Sequence, residues 1–338
     1  MSAIVVQDLH RSYGDTRAVT GVSFEVDHGE VFALVGPAGA GKTTTLEILE
    51  GQRPRCSGAV SVLGFDPATA GRTYRERIGV VLPGSGLDER LTRLDQEFTE
   101  HDQEFTTLDR AFAALDREFT TLELIRLRAR SHPRPQPVDD VIQLVGLEEQ
   151  RETCVKALSE GQRRRLDVAL GLLGDPEVLF LDEPTTESDP DARSRVWEVV
   201  GNLRSLGKTI VLATDSMEEA GKLADRVGVM AAGKLVALGT PWELVNRHRN
   251  GDGDAGLIRF RLPAGVGAGN LPDLGGQLMI CPDRSIEVRS VCPTRTMQVL
   301  TAWARHYRVE LEEVTLTPPN LEAAYRELLG QVAAASHG

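Results

Sequence analysis

The sequence predicts an α/β fold built on a mainly parallel sheet, followed by a smaller α+β region. Short apolar runs such as VFALV, VLFLD and TIVLAT, bounded by Gly, Asp and Pro, read as strands. They alternate with helical patterns of about 10–15 residues, the spacing of strand–helix–strand crossovers. Gly and Asp then cluster in NRHRNGDGDAG (246–256), and the pattern beyond is of a different kind.

Taken in order, AIVVQDL, GVSFEV, VFALVG and RIGVVL are the first strands, and GKTTTLEILEG supplies a helix after the third. ELIRLRAR and DDVIQLVGLEEQ are helical; VLFLD (178–182), TIVLAT (209–214) and VGVMAAGKLVALG (227–239) return to strand. After the boundary, IRFRLP and SIEVRSV read as strands, and TRTMQVLTAWARH and NLEAAYRELLG as helices. The expected organisation is a first domain over 1–245 and a C-terminal α+β domain over 257–331.

One segment inside the first domain differs from the rest. Phe98, Phe105, Phe112 and Phe119 recur every seven residues, with Leu94, His101, Leu108, Leu115 and Leu122 in the alternating slots. That is the seam of a coiled-coil helix over 94–122, about 43 Å long if continuous. The flanking positions carry Asp102, Asp109, Asp116, Glu97, Glu104 and Glu118, so two copies side by side in parallel would set acid against acid. A basic partner, packing back near Arg126, Arg128 and Arg130, and a solvent-exposed arm without a partner all remain open.

Composition narrows the function. Fifty acids against 38 bases give a net charge of −12, which argues against a nucleic-acid-binding face. Cys56, Cys154, Cys281 and Cys292 show no CxxC spacing, so thiols in a reducing compartment are expected rather than a disulfide framework or zinc site. No run approaches the ~18–20 apolar residues of a membrane span, and MSAIVVQDLHRSYGD does not read as a secretory leader. The expectation is a cytosolic chain.

The chemistry begins with GPAGAGKTT (36–44), which follows a strand, opens a helix and matches G-x-x-x-x-G-K-[ST]. Gly36, Gly39, Ala40 and Gly41 let successive backbone N–H groups face phosphate oxygens, and the helix N-terminus with Thr44 adds favourable potential for an anion. Lys42 is expected to reach the outer phosphates of ATP, and Thr43 to place its hydroxyl on Mg²⁺. In FLDEP, Asp182 ends a buried strand and would hold Mg²⁺ through its water shell. Glu183 is set to orient the attacking water or take its proton.

ALSEGQRRRLDVALGLLGDP (157–176), taken with these two motifs, resembles the ATP-binding subunits of ABC transporters, whose signature is LSGGQ. GTPWEL (239–244) and the segments VRSVCPTRTMQVLTAWA and PPNLEAAYRELLG resemble the C-terminal part of drug-resistance-type exporters in that family. The likeness covers nearly the whole chain apart from the heptads. It implies a P-loop nucleotide-binding domain with a helical subdomain, a heptad-repeat insert and a C-terminal α+β extension. It also implies a nucleotide-sandwich dimer, in which Ser159, Gly161 and Gln162 of one subunit face ATP bound by the other, and an identical or different second ATP-binding subunit. Membrane-spanning permease subunits would complete the exporter and hold the chain at the inner face of the membrane. Tyr13 takes the place of an aromatic that stacks on adenine in the family; by itself a tyrosine in a strand-ending turn is more commonly structural.

Several positions depart from the family pattern. Pro83 stands for a glutamine that touches Mg²⁺, Asp215 for a histidine that contacts the γ-phosphate, and Glu160 for a glycine. Glu187-Ser188 replaces Gly-Leu ahead of Asp189, and Ala38 a frequent asparagine. Losing a preorganised donor at developing charge costs about 2.7–4 kcal/mol, roughly 10²–10³ in rate. The expected function is a motor subunit with slow hydrolysis; the alternative is a nucleotide-binding regulatory or degenerate subunit with little turnover.

Overall fold

A computed structural model of the chain describes residues 2–81, 119–185, 190–247, 256–263, 266–281, 285–290, 293–317, 322 and 325. The chain divides into two compact units, Met1–Leu238 and Gly239–Gly338. Among the described residues no helix is long and apolar enough to cross a membrane.

In the first unit, β1 (Ser2–Tyr13) turns at Gly14 and Asp15 into β2 (Thr16–Asp27). Two residues leave room only for an antiparallel return, and Tyr13 pairs with Thr16. Then come β3 (Val31–Val35), α1 (Lys42–Leu49), β4 (Ser57–Val62), α2 (Arg72–Arg75) and β5 (Ile78–Val81). β4 pairs antiparallel with β1, so β2-β1-β4 form a sheet of their own. The first two strands therefore lie outside the parallel sheet that the strand–helix alternation predicts.

The second sheet is built from later elements. These are α3 (Thr121–Ala129), α4 (Val138–Leu144), α5 (Glu160–Leu172), β6 (Val178–Asp182), α6 (Pro190–Ser205), β7 (Thr209–Thr214), α7 (Met217–Leu223), β8 (Arg226–Ala231) and β9 (Lys234–Gly239). Its order is β5-β6-β7-β3-β8-β9, and β5 through β8 run parallel. β3, β6 and β7 are buried at every residue, as strands covered on both faces must be. One face packs Phe32, Leu34, Phe180, Val211 and Met230 against α1 and the antiparallel sheet. Phe24 and Phe32 stack at 5.0 Å between the two sheets.

Residues 94–118 of the heptad segment lie outside the described residues. At its end the expected continuous helix is interrupted. Thr120 has an extended backbone and caps α3, its hydroxyl accepting from the Glu123 N–H while the Glu123 carboxylate accepts from the Thr120 N–H at 2.9 Å. This capping box starts a new helix, so Phe119 and Leu122 do not share one.

The second unit begins with α8 (Pro241–Arg247) and continues through β10 (Gly256–Arg261), β11 (Gln277–Ile280), β12 (Ser285–Ser290), α9 (Pro293–Tyr307) and β13 (Glu312–Thr317). Its antiparallel sheet, ordered β11-β12-β10-β13, has Ile258, Phe260, Ile286 and Val288 in one core with Leu300, Trp303 and Ala304 of α9. NLEAAYRELLG lies outside the described residues except for Glu322 and Tyr325.

One buried tyrosine secures the far end of the helix that follows the glycine-rich loop. The Tyr74 hydroxyl donates to the carbonyl of Leu49, the last residue of α1 and one of the acceptors a helix end leaves unpaired. Burial raises the phenol further above its ordinary value, so it stays protonated as a donor. Tyr74→Phe is expected to cost about 1–3 kcal/mol in urea unfolding with the m-value unchanged. A loss below about 0.5 kcal/mol would mean that another group satisfies this carbonyl.

Candidate active site

The parallel register brings three strand ends together. Val35 of β3 lies opposite Thr214 of β7, and Asp182 of β6 opposite Ala213. The 36–41 loop, Asp215 and the Asp182–Glu183 pair thus emerge side by side at the carboxyl ends of the strands, where open α/β sheets hold ligands.

Two glycines of the loop are sterically required. A Cβ on Gly36 would stand 2.4 Å from the Met230 carbonyl oxygen, and one on Gly41 2.3 Å from that of Ala18. Gly41 also sits at φ 99° and begins α1 with no side-chain cap, which leaves the first amides of the helix available to an anion. Gly39 has φ 77° in open space; Ala40 is buried, and Thr43 and Thr44 are half-buried in the first turn. Lys42 is buried beneath the loop, its Nζ donating to the carbonyls of Gly36 at 2.7 Å and Pro37 at 3.2 Å.

Asp182 is 2% exposed, and neither of its carboxylate oxygens has a hydrogen-bond partner among the described residues. Burial pushes the carboxyl up to about 6. The Thr43 hydroxyl, close but outside hydrogen-bond geometry, draws it back; Glu183 and Glu47 raise it and Lys42 lowers it. A buried acid left without donors beside a hydroxyl and an ammonium suits a divalent cation. With no cluster of three metal-ligating side chains among the described residues, it suits one that brings phosphate and water ligands with it, as Mg²⁺ does.

Glu183 is half-buried and sits at φ 45°, a left-handed conformation that is uncommon and costly for a residue with a side chain. The constraints are local. Its N–H donates to the Ala213 carbonyl at 2.8 Å. Arg164, 6% exposed on α5, donates to the carbonyls of Asp182 at 2.7 Å, Glu183 at 2.9 Å and Pro184 at 3.2 Å. Two residues on, the Thr185 hydroxyl donates at 2.7 Å to the carboxylate of buried Glu219 on α7, which also accepts from the Trp197 indole at 3.2 Å. Burial raises the Glu219 carboxyl despite these donors.

The LSEGQ residues stand at the start of α5. Ser159 is the cap, its hydroxyl accepting from the Gln162 N–H at 3.2 Å while the Gln162 side chain accepts from the Ser159 N–H at 2.9 Å. Ser159 and Glu160 are exposed and Gly161 is buried. Within one chain α5 meets the acids through Arg164, and the side chains of Ser159 and Gln162 close on their own cap. Tyr13 ends β1 half-buried, with the guanidinium carbons of Arg11 and Arg53 at 4.5 and 5.4 Å from its ring centroid. Asp215 is exposed, one residue before the cap of α7. Pro83, Glu187, Ser188 and Asp189 lie outside the described residues.

Arg164 and Glu219 are the residues that motif reading misses. A signal for Arg164 is present, because Gly161, Arg164, Arg165, Val168, Ala169 and Leu172 form the buried stripe of α5. An arginine at a stripe position has to be met by buried acceptors.

Asp182 makes stability depend on pH. Its folded pKa is raised, so the native state binds more protons than the unfolded chain between about pH 4 and 6, and stability falls as pH rises through that window. Relative to Asp182→Asn, the metal-free protein is expected to lose on the order of 3 kcal/mol between pH 4 and 6 and no more above it. Urea unfolding at a series of pH values checks this; a flat difference would show that the carboxyl ionises normally.

Residues 19–186 match the ABC transporter family model, and residues 256–320 match the model described as the C-terminal domain of ABC transporter domain-containing protein-like chains. The chain is 33% identical over 332 residues to daunorubicin resistance ATP-binding protein DrrA3 of Streptomyces coeruleorubidus, covering 97% of this chain and 96% of that one. It is 37% identical over 243 residues to Nod factor export ATP-binding protein I of Ralstonia nicotianae, covering 72% and 68%. Among solved structures, the ATP-binding subunit of an ABC transporter shares the fold at a TM-score of 0.57 and 23% identity, over 74% of this chain and 94% of that one. The cbiO1 chain from Clostridium perfringens, part of an ABC transporter complex, aligns at 0.53 and 27%, over 74% and 95%. With a phosphate-type loop, a buried acid pair and an LSEGQ helix on that fold, the chain belongs to the ABC transporter family as one of its ATP-binding ATPase chains.

Proposed function

We propose that this chain is the ATP-hydrolysing motor subunit of a membrane exporter, with weakened turnover. The observation that carries the reading is the buried, unpartnered carboxylate of Asp182 beside Thr43 and Lys42. Export is supported by the names of the relatives, one a resistance protein and one an export protein. In this reading residues 1–245 form the ATP-binding domain, with the heptad segment 94–122 inserted in it, and 257–331 the C-terminal extension. Two ATP-binding subunits, identical or different, close head to tail on permease subunits, and the chain is cytoplasmic and peripheral at the inner face of the membrane. Its net charge of −12 speaks against a nucleic-acid partner.

The roles follow from chemistry. Backbone N–H groups of Gly36, Gly39, Ala40 and Gly41, with Lys42 and Thr44, bind the phosphates of ATP, and Tyr13 takes the base. Thr43 and Asp182 hold Mg²⁺, which when bound neutralises phosphate charge. Glu183 orients the attacking water and accepts its proton. Ser159, Gly161 and Gln162 of the partner close over the γ-phosphate. Asp215 offers an acceptor where a donor would help, which slows hydrolysis.

Steady-state phosphate release from ATP and Mg²⁺ tests this. Glu183→Gln is expected to lower kcat by at least about 100-fold with ATP binding retained, and Asp215→His to raise kcat up to about 100-fold. Wild type at the Glu183→Gln background while still binding ATP would favour the second reading, a regulatory or degenerate subunit, for which the exposed Asp215 is the supporting observation.

A further inference from the structure

The hydrolytic reading depends on where the Glu183 carboxylate is aimed, and Glu183 has few other means of being held. Its φ of 45° lies in the left-handed region, which non-glycine residues adopt uncommonly. Three successive carbonyls around it, those of Asp182, Glu183 and Pro184, converge on one buried guanidinium at 2.7–3.2 Å. Among the described residues, the ion pair of Arg164 to Asp167 on its own helix is long at 3.9 Å. Three short contacts of this buried charge thus go to the backbone of a single turn.

Arg164 is itself located independently of that turn. A Cβ on Gly79 of β5 would stand 2.3 Å from the Gly171 carbonyl oxygen, so α5 lies directly on the strand beside β6. Its neighbour Arg165 donates to the carbonyls of Val145 at 3.1 Å and Gly146. Packing with no catalytic role thus fixes α5, and Arg164 transfers that fixed position to the turn. A lysine, with one point of donation on a flexible stem, cannot fork across three carbonyls in this way.

We infer that Arg164 is a positioning residue that aims the Glu183 carboxylate, and that through it the helix headed by LSEGQ and the acid turn move as one body. The inference rests on the hydrolytic role proposed for Glu183. Arg164 lies five residues beyond the Ser159 cap, about 7 Å along the helix. A displacement at the LSEGQ end therefore reaches the same chain's Glu183 without crossing a loop.

Arg164→Met keeps the length and the apolar stripe while removing the fork. In the full-length protein it is expected to lower kcat about 100-fold and to leave the Kd for ATP, measured without turnover, within about threefold. Arg164→Lys should fall between it and wild type. On the Glu183→Gln background Arg164→Met should lower the residual rate no further, because residues that act as a unit are not additive. A purely structural role would lower the rate equally on both backgrounds, or lower thermal stability with kcat intact, and either result would overturn the inference. Should Arg164→Met fail to fold, Arg164→Lys carries the same two-background comparison. If Glu183→Gln keeps the wild-type rate, the hydrolytic reading falls and this inference with it; if Glu183→Gln is inactive and Arg164→Met is not, only this inference falls.

Discussion

Asp182 puts an ionisable carboxyl on the last residue of a strand whose other four residues are apolar and buried. A carboxylate there is destabilising unless it is paired, and its raised pKa measures how poorly the protein alone pairs it. Much of the surrounding architecture follows from keeping that group in place. The parallel register puts Lys42 and Thr43 within electrostatic reach of it. Glycines at 36 and 41 let the loop run against the backbone of residues 230 and 18, where any side chain would collide. The loop is held by these close backbone approaches together with its own hydrogen bonds, from the Ala40 N–H to Pro37 and from Lys42 Nζ to Gly36 and Pro37.

The turn after the strand is managed in a complementary way. Arg164 and Glu219 are both buried, on α5 and α7, and they grip opposite ends of the same four residues. Arg164 takes the carbonyls of 182–184, and Glu219 takes the hydroxyl of Thr185. Arg164 donates to backbone carbonyls of the turn, and Glu219 accepts from the Thr185 hydroxyl and the Trp197 indole. Buried charges used in this manner contribute little net stability but specify one geometry. For a glutamate held at positive φ, one geometry is the requirement.

Much of this was legible in the sequence, for identifiable reasons. The phosphate-type loop, the strands VFALV, VLFLD and TIVLAT and the acid pair are local patterns whose meaning does not depend on distant partners. The capping box at Thr120 was equally local, as TTLE, yet the phenylalanine periodicity running up to it suggested a helix continuing through that point. A heptad register says which faces agree and not where a helix begins, and Thr120 starts a new one. The separate antiparallel sheet was harder, because β4 joins β1 from about fifty residues away. Arg164 was hidden for another reason. In RRRL three arginines look alike, and only the angular position on α5 separates the half-buried Arg163 from the buried Arg164 and Arg165.

The departures from the family pattern that fall on described residues sit where the fold does not depend on them. Asp215 and Glu160 are exposed, and so is Ala38 in the loop. Asp215 avoids the desolvation that strains Asp182, and Ser216, not Asp215, caps the following helix. Glu160 replaces a glycine in the first turn of α5, where a carboxylate favours the helix dipole and a side chain lowers the entropy lost on folding. Gly36 and Gly41, by contrast, could not carry a side chain without meeting the backbone of residues 230 and 18. Buried Lys42 and Asp182 thus tie the loop and the acid strand to the core, whereas Asp215 and Glu160 lie at the surface.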